Sequence, residues 1–122
     1  NELIDTAFAV EDRAGVALGP VVVNGCLDAP PDDFEFSPAA IQRDATALDR
    51  FVSEREAHDL SRAAAFRSER YEIQLEQAER LSSRLPLPQL RLPFVFDADI
   101  TRDDLGVLAA ALTLEIEALP AR

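Results

Sequence analysis

Along most of this chain the apolar residues recur every three or four positions; in two short stretches they run together. Leu3, Ala7, Val10 and Ala14 share one helical face, with Ile4 and Phe8 widening the stripe. They predict a helix over residues 2–14, closed by Gly15 in the position a helix C-cap favours. Gly19-Pro20 then interrupts the chain before Val21-Val22-Val23. Three β-branched residues without polar alternation predict a strand, 20–24, buried on both faces as in a parallel sheet. Asn24-Gly25 ends it, and an acidic, proline-bearing loop follows.

Ser37-Pro38 predicts a helix start, with Ser as N-cap and Pro in the first helical position. From Ala39 to Leu85 neither Gly nor Pro intervenes. The stripe runs Ile41, Ala45, Leu48, Val52, then Leu60, Ala64, Tyr71, Leu75, Ala78, Leu81 and Leu85. One helix over that stretch would reach ~70 Å at 1.5 Å per residue, too long for a small domain. The stripe weakens across the charge-dense Ser53–Asp59, so the 37–85 region predicts two helices broken there. Pro86 and Pro88 stop the second. Leu90, Leu92, Phe94 and Phe96 alternate and predict a strand over 89–96, with Pro93 placing it at an edge or near its end. Thr101 and Asp104 form a capping-box start, and Leu105, Leu108, Leu112, Ile116 and Leu119 predict a helix over 101–119.

Helix, strand, helix, helix, strand, helix is an α/β order, and two strands make a poor sheet by themselves. Residues 1–122 therefore read as one partial domain, incomplete on its own. The absence of Met fits that reading, as a processed chain or a piece of a longer one.

The composition narrows the functions. An apolar fraction of 48% in 122 residues supports a folded domain. A net charge of −11 repels phosphate backbones and anionic lipid, so nucleic acid and membrane surfaces are disfavoured partners. No apolar run approaches the ~20 residues of a membrane span. All 12 basic residues are Arg, so a phosphate-binding loop, which needs its Lys, is not encoded here. One Cys and one His do not supply a structural zinc site, and the lone Cys fits a cytoplasmic, reducing compartment. His58 reads as a solvated surface residue.

Asn24 is the strongest candidate for binding. Ligands of open α/β sheets sit beyond the carboxyl ends of the strands, where a side-chain amide offers both a donor and an acceptor to an adenine edge. The competing reading is that Asn-Gly is a favoured turn pair. The segment Asp97–Asp103 mimics the start of a calcium loop, but Arg102 stands where Gly belongs and Leu108 where Glu belongs, so calcium is rejected. Asp32-Asp33 and Asp103-Asp104 read as solvated loop and helix-N-terminal charges.

Taken together, these segments resemble the ArsA family of ATPases, which includes arsenite-pump ATPases and the ATPases that target tail-anchored membrane proteins. The resemblance rests on Val22-Val23-Asn24, on Arg70 and Gln74 in an R-x-x-x-Q helix with Leu81 seven positions on, and on Leu92-Pro93-Phe94-Val95, Asp99-Ile100 and Leu105–Leu112. It implies that the chain is the C-terminal part of a Rossmann-like P-loop NTPase sheet, with two parallel strands and flanking helices. It implies adenine recognition by Asn24, with Pro93, Phe94 and Val95 packing along the base. The full-length protein would bind and hydrolyse ATP with Mg, contain an N-terminal ATPase half, form a homo- or hetero-dimer and act on a protein client. This chain alone would not hydrolyse ATP. Thr101-Arg102 replaces the Arg-Gly common in the family, and Cys26 lacks the C-x-x-C partner of a zinc-bridged dimer. The alternative is a non-enzymatic helical protein-interaction module, in which the 37–85 helices present the binding face.

Overall fold

A computed structural model describes residues 2–32 and 35–120. The order is α1 (Glu2–Ala14), β1 (Val21–Cys26), α2 (Pro38–Ala47), α3 (Glu54–Arg84), β2 (Gln89–Pro93) and α4 (Arg102–Glu117). The described residues are thus α/β, with four helices and a two-stranded parallel sheet among them. Val21, Val22 and Val23 pair in register with Gln89, Leu90 and Arg91. The long helical connection between the strands is what a parallel pair requires.

Local chemistry explains the boundaries. Gly15, at φ +64°, donates its N–H to the Glu11 carbonyl and closes α1. The Ser37 hydroxyl accepts from Ala40 N, with Pro38 at the first turn of α2. Thr101 and Asp104 form the expected reciprocal capping box at α4. The break between α2 and α3 lies at residues 48–53, earlier than the charge-dense stretch predicted. Asp49 turns there with φ +54°, and a Ser53–Glu56 capping box starts α3: Glu56 Oε2 accepts from Ser53 N at 2.9 Å while Ser53 Oγ accepts from Glu56 N. The charges of residues 53–59 therefore belong to the first turns of a helix. β2 is shorter than the predicted 89–96, ending at Pro93.

The Cα packing forms two compact units. One comprises the chain up to Leu27 and from Gln74 onward; the other is Asp28–Ile73. In the first, Ile4, Ala7, Leu85 and Leu90 are buried, and α4 packs against β2. Glu115 of α4 accepts from the backbone N–H of Arg91 at 3.0 Å, satisfying a donor of β2. In the second, Ala40 of α2 and Ala57 of α3 are buried.

Burial corrects three expectations. Val22 is 52% exposed where the valine run predicted two covered faces, although its register partner Leu90 is buried. Leu105 and Ile116 are exposed on α4, whose more sheltered side carries Leu108, Leu112 and Glu115. On α3 the sheltered seam passes through Tyr71, Gln74 and Ala78, leaving Leu75 more exposed than the amide beside it.

Candidate functional site

The parallel pairing brings the carboxyl ends of β1 and β2 to one place. Cys26 is the register partner of Pro93, and Phe94 N donates to Cys26 O at 2.8 Å. Between the Val23–Arg91 and Cys26–Pro93 pairs, β1 holds one more residue than β2, so Asn24-Gly25 forms a bulge. Gly25 adopts φ +75°, a conformation open to Gly at little cost. β1 thus runs through Asn24-Gly25, which the sequence placed at its end, and continues to Cys26. No hairpin forms.

Asn24 is exposed, on the face it shares with Val22 by strand alternation. Its side-chain amide makes no hydrogen bond to the described residues, which leaves a donor and an acceptor available to a ligand. Pro93 and Val95 are half-buried and Phe94 is 45% exposed. A Cβ placed on Gly25 would lie 3.7 Å from Phe94 Cδ2, so the Phe94 ring borders the bulge. Phe94 and Phe96 pack edge to face, with centroids 4.8 Å apart and planes at 63°. The pairing thus brings Asn24, Pro93 and Phe94 to the same strand ends, with Val95 one residue beyond.

Gln74 enters the sequence reading only through its motif, yet it contacts this site directly. Its Nε2 donates to Gly25 O at 2.9 Å and its Oε1 accepts from Leu27 N at 2.9 Å. The signal in the sequence is an amide within an otherwise apolar helical seam. Arg70, one turn earlier, lies 5.9 Å from the Phe66 ring centroid in a cation–π arrangement. Cys26 Sγ contacts the Val23 carbonyl at 3.4 Å.

The second unit holds a cleft of about 270 Å³ lined by Pro30, Pro31, Phe36, Ala64, Arg67 and Ser68 among others. His58 is exposed. Among the described residues no three His, Cys, Asp or Glu side chains converge as metal ligands, and no helix is long and apolar enough to cross a membrane.

No protein-family model matches this chain, and no curated protein or solved structure matches it either.

Proposed function

We propose that this chain is the adenine-recognition, C-terminal portion of an ArsA-like ATPase, with a Rossmann-like P-loop sheet completed by sequence outside it. The observation that carries the reading is Asn24: an exposed amide with no partner among the described residues, at a bulge near the carboxyl end of a parallel strand, bordered by Phe94. Bulges recur beside binding sites because they re-aim a side chain. Asn24 would pair with the adenine edge through its donor and acceptor, and the Phe94 face would take the base by stacking, with Pro93 and Val95 alongside.

The phosphates and their Mg, which neutralises the charge of the transferred group, would be held by residues outside this chain, since no Lys is available here. The full-length protein would be a cytoplasmic ATPase whose nucleotide cycle opens and closes a dimer around a client. The test is displacement of a fluorescent adenine nucleotide from the full-length protein. ATP should compete at least about fivefold better than GTP, from the roughly 1–3 kcal/mol of a bidentate base contact. Equal competition by GTP contradicts the reading.

A second reading, a helical protein-interaction module, is favoured by α3 and the cleft of the second unit. Phe66 and Leu60 are half or more exposed on α3, and Phe51, in the link before it, is 91% exposed. Binding of a protein partner that survives Phe66→Ser and Leu60→Ser would count against it.

A further inference from the structure

We propose that Gln74 is a positioning residue for base selection, acting on Asn24 through the backbone that follows it; this rests on the adenine reading of Asn24.

The Gln74 amide bonds the carbonyl of Gly25 and the N–H of Leu27, the two backbone groups flanking Cys26. A residue of a parallel strand makes the same pair of bonds to its neighbour. Gln74 therefore occupies the place of a strand residue, although it belongs to a helix. The carbonyl of Cys26 accepts from Phe94 N, so the segment after the bulge is held by β2 and by α3 at once.

The bulge needs this support. Two residues, Asn24 and Gly25, lie between the last regular pair and the next one, and Gly25 has the widest backbone freedom of any residue. Without the Gln74 bonds, the turn at Gly25 rests on the pairing of Cys26 with β2 and on the weak Cys26 Sγ contact to the Val23 carbonyl. The direction of the Asn24 side chain is set by the backbone on either side of it, and among the described residues no side-chain bond of its own holds it. An amide that fixes Gly25 and Leu27 thus prepays the ordering of Asn24 before a base arrives, and that ordering is what makes a hydrogen-bond pair selective. A residue that served stability alone would affect ATP and GTP equally.

The experiment compares ATP and GTP dissociation constants for the full-length protein as wild type, Gln74→Met and Gln74→Glu, with circular dichroism on each. Met has similar length and no amide. Glu keeps the acceptor for Leu27 N and loses the donor to Gly25 O. The expected result is a wild-type preference for ATP that shrinks roughly fivefold or more in both variants, the worth of one hydrogen bond, while GTP affinity stays within about twofold. Should the Met variant fail to fold, the Glu variant decides. A folded variant that keeps the full ATP preference overturns the inference and leaves the adenine reading standing. A wild type with no preference for ATP overturns both.

Discussion

Gln74 donates its side-chain amide to the carbonyl of Gly25 at 2.9 Å, and Gly25 is the residue at which β1 turns out of regular pairing, with φ +75°. A helix side chain and a glycine forty-nine positions away thereby fix the end of the strand that presents Asn24.

Gly25→Ala should destabilise the fold by about 1–2 kcal/mol, the cost of a left-handed conformation for a residue with a Cβ. The added methyl would meet Phe94 Cδ2 at an ordinary 3.7 Å, so the cost arises in the backbone and not from a clash. Urea unfolding would measure it. A midpoint equal to wild type would show that the bulge relaxes without Gly.

Asp49→Gly should have the opposite sign. Asp49 holds φ +54° just past α2, where Arg50 N bonds back to Ala45 O at 2.9 Å. Gly adopts that conformation without strain, and removing a negative charge from a helix C-terminus is favourable, together worth roughly 1 kcal/mol. The unfolding midpoint should rise; a fall would contradict the capping role.

Acid should loosen the starts of α3 and α4. The Ser53 hydroxyl, then its backbone N–H, hold Glu56 below the usual carboxylate range, and Thr101 does the same for Asp104. A depressed folded value means that the stabilisation is present above the unfolded value, about 4, and is lost as pH falls through the folded one. Helical circular dichroism should therefore decline as pH falls below about 4. Replacing both Glu56 and Asp104 with neutral amides should flatten that decline. An unchanged acid profile would show that other carboxylates control it.

The fold was largely legible because its signals are local. Ser37-Pro38, Thr101–Asp104 and Gly15 act within a turn of the chain, the valine run pointed to β1 in a parallel sheet, and the alternation from Leu90 to Phe96 pointed to β2. What escaped depends on neighbours. Nothing in Val21–Val23 shows that Val22 is exposed while Leu90 beside it is buried. The α2–α3 break was set too late because the weight went to charge density, although Ser53 and Glu56 spell a capping box. The strand pairing brings the candidates Asn24, Pro93 and Phe94 together, but the bond from Gln74 joins segments far apart in sequence, and no local spacing encodes it.

Residues 1–122 alone should release no phosphate from ATP with Mg, because there is no Lys or Gly-rich loop to stabilise the transferred group. A phosphate-release assay on the purified chain checks this. Turnover above a buffer blank would require phosphate chemistry that the chain does not encode.

The base specificity of Asn24 tests the central claim most directly. ATP and GTP dissociation constants should be measured for the full-length protein as wild type, Asn24→Ala and Asn24→Asp. Removing the amide should narrow the ATP preference by roughly ten- to a hundredfold, the worth of a bidentate base contact. The carboxylate of Asn24→Asp should be worse still for ATP, since it accepts from the adenine amino group but cannot donate to a ring nitrogen. An Asn24→Ala protein that is folded and keeps the wild-type ATP-to-GTP ratio would show that Asn24 is a turn residue and that the base is read elsewhere.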